Sequence, residues 1–281
     1  MAHDAPSKPE LRALRPDEQA LSYSKYYNRP VAPPNPKLMG ILSQGPMDPE
    51  KALPFERLND LLDPGYHEVE TGYCILPNGA GYVAVNNVFP GCTVEMMQWW
   101  FAWHAAGPGL RYSIWFPPGH TTIAVNDTDR AKLLDPNVPL AEKSQNVDHF
   151  VVEDVGGGQE DIIISFLDPA TIGFDMTRFH NPNVAAVFGG FGVSEPRDGH
   201  MGKSPAIMVH FCREIEGGVE FRTRFWMGYR INQGKGMCVL PPWVRLPIEA
   251  PMGLAFHNVL EYFFNDTATT EIYTQEGPEV R

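Results

Sequence analysis

The stretch from Thr93 to Gly109 constrains this chain more than any other. Met96, Trp99, Trp100 and Trp103 recur at helical spacing, and Phe101 and Ala102 fill much of the remaining surface. A helix that is apolar on nearly every side must be covered on nearly every side. Thr93 is placed to cap its start, Glu95 puts an acid in the first turn where the helix dipole favours one, and Gly107-Pro108-Gly109 ends it. No apolar run here reaches the ~20 residues that span a bilayer, so protein has to bury this helix.

Beyond the helix the pattern turns strand-like. Arg111-Tyr112-Ser113-Ile114-Trp115-Phe116 alternates, as do His149 to Glu153 and Asp161 to Phe166, with Gly156-Gly157-Gly158 as a hairpin turn between the last two. Two short strands, Tyr73–Leu76 and Tyr82–Val85, precede the helix around an Asn78-Gly79 turn. Val184 to Val193 reads as a strand whose Gly189-Gly190 marks a bulge or a close backbone approach. Ile207–Ile215 and Val219–Ile231 form a long hairpin about Gly217-Gly218, and Pro251 to Phe263 regains a helical period. Strands that are not interleaved with helices disfavour a doubly wound sheet. The expected class is α+β: a curved antiparallel sheet gripping a C-terminal helix, with a cavity between them.

Residues 1–65 carry 11 of the 27 prolines yet hold Tyr23, Tyr26, Tyr27, Phe55, Leu58 and Leu61, which is too apolar for a tail. They are read as an arm or small subdomain packed on the body or on a second subunit. The body spans 66–264. Asn265 to Thr274 matches one translated frame of a common short-read sequencing adapter, so 265–281 is read as a non-native tail, with the natural sequence lost after Phe264. A net charge of −12 without a basic stripe argues against nucleic acid and anionic membranes. The widely spaced Cys74, Cys92, Cys212 and Cys238, with no signal-like start, point to free thiols in the cytoplasm.

The chain has no G-x-S-x-G elbow, H-E-x-x-H pair or P-loop, and Gly190-Phe191-Gly192 lacks the rest of a dinucleotide fingerprint. The remaining candidates are histidines in apolar surroundings: His120 after a Pro117-Pro118-Gly119 turn, His210 in mid-strand and His257 on the last helix, together with Glu153 at a strand end. Burying an ionisable group is costly unless it is paired or ligated. For each histidine alone, a hydrogen-bonded core role is the commoner one. Together, on elements that enclose one core, three imidazoles and a carboxylate also make a plausible Zn²⁺ shell. His104 reads as structural, His149, His180 and His200 as surface residues, and His3 and His67 carry no signal.

Several motifs carry a resemblance. Thr93 to Met96 leading into Trp99–His104, then Arg111–Trp115 with His120, Val152–Gly157, Met208–Glu214, Arg222–Tyr229 and Ala255–Asn258 resemble the 2,4-diacetylphloroglucinol hydrolase family, which includes phloretin hydrolase. The resemblance runs from about residue 35 to 264. It implies a Bet v 1-like (START, helix-grip) domain, a homodimer helped by the N-terminal region, and hydrolysis of the C–C bond between a phloroglucinol-type ring and an acyl group of a small phenolic ketone. It also implies one Zn²⁺ on His120, Glu153, His210 and His257, with Asp154 replacing Glu153 if the strand register shifts by one. Tyr112 matches a substrate-contacting tyrosine, and Tyr229, preferred over Trp226, is a second. Where the family has an asparagine about three residues after the first histidine, this chain has Ile123. Tyr112, Tyr229 and His210 are the expected catalytic groups. Trp99, Trp103, Phe211 and Phe225 are expected cavity walls, although core packing accounts for each singly. A metal-free polyketide cyclase and a non-catalytic carrier of hydrophobic ligands are the competing readings of such a fold.

Overall fold

A computed structural model describes residues 11–29, 33–179, 185–199, 202–260 and 268–280. His3, His180, His200 and the stretch 261–267 lie outside the described residues. The helices are α1 (Pro16–Gln19), α2 (Pro36–Leu42), α3 (Val94–Ala106), α4 (Leu110–Trp115), α5 (Asp127–Leu134), α6 (Pro169–Ile172), α7 (Glu249–Leu260) and α8 (Ala268–Glu276). The strands are β1 (Gly72–Ile75), β2 (Gly81–Pro90), β3 (His120–Ala124), β4 (Val147–Asp154), β5 (Gln159–Phe166), β6 (Ala186–Pro196), β7 (Ser204–Ile215), β8 (Gly218–Met227), β9 (Tyr229–Asn232) and β10 (Lys235–Cys238).

Strands β1 to β8 form one sheet in the order β1-β2-β8-β7-β6-β5-β4-β3, with every pair antiparallel. After the β1–β2 hairpin, the chain crosses through α3 and α4 to the opposite edge. It then returns strand by strand from β3 to β8, which closes against β2. The tryptophan helix α3 is therefore the crossover element. Its cap is as expected: the Thr93 hydroxyl accepts from the Met96 amide at 3.2 Å. Helix α7 packs on β2 and β1.

The period-2 alternation of the strands sorts their apolar residues into two clusters on opposite faces. Val219, Phe221 and Phe225 of β8 and Met208 and Cys212 of β7 join α3 and α7 on the inner face. Trp226 of β8 and Ile207, Val209 and Phe211 of β7 face outward. The proline-rich region covers both faces. Tyr23, Tyr26, Tyr27, Leu38 and Leu42 enter the inner cluster, and Leu53, Phe55, Leu58, Leu61 and Leu62 enter the outer one, where the Trp226 indole donates to the Leu53 carbonyl at 2.8 Å. Helix α8, within 265–281, sets Tyr273 edge-on against Trp99 at 5.3 Å.

Two segments differ from their sequence pattern. Alternation predicts a strand over Arg111–Phe116, but Leu110–Trp115 is a helix. All six helical residues are buried, so no wet face distinguishes a period of 2 from one of 3.6. Val219–Ile231 is not one strand, because Gly228 at φ +85° breaks it and Tyr229–Asn232 pairs with β10 instead. At Gly190 the alternatives resolve to close approach, since an added Cβ would lie 1.9 Å from the Ser165 carbonyl oxygen while the β5–β6 and β6–β7 registers run without a shift. Cys74, Cys92, Cys212 and Cys238 are free thiols. No helix among the described residues is long and apolar enough to cross a membrane.

Beneath the outer cover, Arg222 and Arg224 of β8 are buried and share the carboxylate of Glu70. Arg222 donates to both Glu70 oxygens, at 2.6 and 3.1 Å, and Arg224 donates to the one that the Arg222 Nε also reaches. Burial pushes the Glu70 carboxyl up, but the two guanidiniums outweigh it and hold the group at about 2, below its ordinary 4.5. A carboxyl lowered in the fold stabilises it above the ordinary range, and that contribution is lost as pH falls through about 2. Glu70→Ala, which strands two buried cations, is expected to cost about 3–5 kcal/mol in urea denaturation and to flatten the acid limb of stability against pH. Gly190→Ala should cost about 1–3 kcal/mol in the same measurement, because the Ser165 carbonyl it meets is backbone and cannot rotate away.

Candidate metal centre and its cavity

The site begins with a register. In the β3–β4 ladder, His120 stands directly opposite Glu153. Their side chains therefore rise from the same face of the sheet edge, and the His120 Nε2 lies 3.4 Å from a Glu153 oxygen. Helix α7 brings His257 over this pair, its ring centroid 5.5 Å from that of His120. One ligand atom from each of His120, Glu153 and His257 can be chosen so that all lie within 4.8 Å of one another, and all three residues are buried.

Two imidazoles and a carboxylate suit a borderline divalent cation. Ligand atoms about 2.0–2.1 Å from a common tetrahedral centre are separated by about 3.3–3.4 Å, which the His120–Glu153 distance matches. The donor set thus fits a metal ion, with His120 and Glu153 at that spacing and His257 within 4.8 Å of both. Tyr112 completes the surroundings. Its ring stacks on His120 at 4.1 Å and 5°, and its hydroxyl donates to the Glu153 carboxylate. The helical form of α4 also puts Trp115, three residues on, beside the same imidazole at 5.3 Å.

The cluster opens into a cavity of about 290 Å³. Phe101, Ile164, Phe166, Met208, Phe225 and Leu254 supply apolar wall, and His104, Tyr112, His149 and His210 supply polar groups.

His210 lines this cavity but stands outside the three-residue cluster. In the sheet order, β6 and β5 lie between its strand and β4. Its Nδ1 is paired with the Thr223 hydroxyl at 2.8 Å, and its ring lies over Phe221. Asp154 points away from the cluster, where its carboxylate accepts from the amides of Gly156 and Gly158 and closes the β4–β5 turn.

Several expected contacts fall elsewhere. Tyr229 does not line the cavity. It belongs to the outer cluster and its hydroxyl accepts from Asn78 at 2.8 Å, because the break at Gly228 carries it past the inner face. The alternative, Trp226, faces outward as well. Phe211 is also on the outer face, one residue out of phase with His210. Trp103 and Trp99 lie nearly opposite Phe101 on α3 at 100° per residue. They pack with each other at 5.0 Å, and Trp103 meets Tyr23 at 5.1 Å. Of the four aromatic walls expected, Phe225 is the one that lines the cavity. Ile123 is buried in the inner cluster opposite Val151.

His149, expected at the surface, is buried on the cavity wall. The signal was present in the sequence: His149, Val151 and Glu153 alternate on one face, so a buried Glu153 requires a buried His149. Burial drives its imidazole pKa down to about 3, and that of His104 well below the ordinary value. Both rings are therefore neutral at physiological pH.

The DAPG hydrolase PhiG domain matches residues 53–273. Phloretin hydrolase of Eubacterium ramulus is 34% identical over 264 residues, covering 92% of each chain. 2,4-Diacetylphloroglucinol hydrolase of a Pseudomonas species is 31% identical over 208 residues, 73% of this chain and 68% of that one. The same-named protein of Pseudomonas protegens is 30% identical over 208 residues, 73% of this chain and 66% of its own. The chain belongs to the DAPG hydrolase PhiG domain family.

Proposed function

We propose that this chain is a zinc-dependent hydrolase that cleaves the C–C bond between a phloroglucinol-type ring and its acyl group. The observation that carries this reading is the buried His120–Glu153–His257 cluster at the wall of an apolar cavity, with the Tyr112 hydroxyl on its carboxylate. Relatives named for hydrolysis of phloretin and of 2,4-diacetylphloroglucinol support the substrate class. We take the fold to be Bet v 1-like, on the strength of one antiparallel sheet, a helix laid on its inner face and a cavity between them.

An aryl–acyl bond breaks heterolytically only if the ring carbon can leave with the electron pair. A ring bearing hydroxyls meets this condition, because ketonisation spreads the charge onto oxygen. Water adds to the acyl carbon, the ring–acyl bond breaks, and the ring carbon takes a proton. The products are a carboxylic acid and the deacylated phenol. His120, Glu153 and His257 would hold a zinc ion, which supplies Lewis acidity toward the acyl oxygen and a nucleophilic water near neutral pH. Tyr112 holds the Glu153 carboxylate in place, and its oxygen orients the substrate by accepting a hydrogen bond from a ring hydroxyl. To His210, which lines the cavity with its Nδ1 engaged by Thr223, we assign delivery of the proton to the ring carbon. All three ligands come from one chain, so a partner subunit is not required to build the centre.

Dialysis against a chelator should abolish release of acid from an acylphloroglucinol, and zinc should restore it; turnover that survives complete metal removal would sink the proposal. His257→Ala should lose bound zinc by elemental analysis. His210→Ala should instead retain zinc while kcat falls about 10²–10⁴-fold, the usual range for a lost acid–base group.

A further inference from the structure

One buried polar group of the cavity takes no part in the proposed chemistry. His149 is 1% exposed, lines the cavity, and its Nε2 has no hydrogen-bond partner among the described residues. Buried polar atoms are nearly always paired, and an unpaired one in a side chain that lines a cavity is a place where a ligand atom can supply the partner. His149 is not a further ligand of the metal cluster. It lies four residues before Glu153 on β4, about 13 Å along the strand, and the cluster does not include it. The surrounding wall is apolar: its ring packs on Phe166 at 4.7 Å, next to Ile164.

His104 links the two ends of the cavity. Its ring stacks on Tyr112 at 5.8 Å and meets His149 edge-on at 5.4 Å. Its Nδ1 sits 2.6 Å from the Trp100 carbonyl, which can only accept, so Nδ1 carries the proton. In a neutral ring, Nε2 is then an acceptor. Burial keeps both imidazoles neutral, so neither repels the other and each retains a lone pair. Two neutral imidazoles in an apolar wall suit an uncharged partner, and a phenolic hydroxyl, which can donate or accept, is one.

Resting on the acylphloroglucinol reading, we infer that His149 is a specificity-determining residue whose Nε2 forms a hydrogen bond with a hydroxyl of the bound phenol at the end of the cavity away from His120, Glu153 and His257. A site built to bond a hydroxyl rejects the analogue lacking it, because the buried nitrogen is then left open.

The test is a cycle of residue against hydroxyl. Wild type, His149→Phe and His149→Gln are each loaded with zinc, and kcat and KM are measured on 2,4,6-trihydroxyphenyl and 2,4-dihydroxyphenyl methyl ketones. Binding of phloroglucinol and resorcinol is measured by calorimetry. The expected result is that His149→Phe raises KM and the phloroglucinol Kd at least tenfold while changing the values for the molecule with one hydroxyl fewer less than threefold. Zinc content should stay unchanged, and His149→Gln should recover most of the discrimination. Equal loss for both molecules, or no loss, overturns the assignment. If His149→Phe does not fold, the same comparison is read from His149→Gln and His149→Leu, and unchanged discrimination in His149→Leu overturns it. Failure of wild type to hydrolyse any acylphloroglucinol overturns the functional reading and this assignment together. Turnover by wild type with discrimination unchanged in the variants overturns the assignment alone.

Discussion

The centre of this protein rests on one cross-strand pair. His120 and Glu153 face each other because the β3–β4 register shifts by one residue between His120 and Thr122; carried on unshifted, the pairing of Thr122 with Val152 would set Asp154 opposite His120 and turn Glu153 away. The β4–β5 turn helps to hold that register, since Asp154 is tied to the amides of Gly156 and Gly158. Helix α7 then needs only to lie across the sheet to deliver His257. Tyr112 gains its place from α4, whose helical turn presents Tyr112 and Trp115 to the same imidazole.

The two faces of the sheet do different work. The inner face, with α3 and α7, encloses the cavity and carries its imidazoles. The outer face is sealed by the proline-rich region, under which Arg222 and Arg224 close on Glu70. Two cations buried in mid-strand are tolerable only with that carboxylate, so the segment before β1 that carries Glu70 and the strand that bounds the cavity depend on each other. β8 therefore bears Phe225 on the cavity side and a buried ion network on the other.

Much of the architecture was legible from periodicity. The cap and stop of α3, the strand alternation and the glycine turns all have short-range causes. Where the pattern misled, burial had erased the contrast it relies on. Leu110–Trp115 has no exposed side, and Tyr229 follows a glycine whose positive φ redirects the chain. Trp103 and Phe211 are as apolar as any cavity wall. Nothing in their composition tells which side of a helix or strand borders empty space.

Residue order alone establishes an α+β protein with buried histidines and a carboxylate in need of partners, because burying such groups is costly whatever the topology. Which of them meet is settled by the packing of distant elements. His120, Glu153 and His257 come together through strand pairing and a helix laid over it. The crossover through α3 sends β3 to the far edge of the sheet and leaves His210 three strands away from Glu153. Packing likewise turns His149 to the cavity rather than to water, since alternation fixes which residues share a face but not which face is covered.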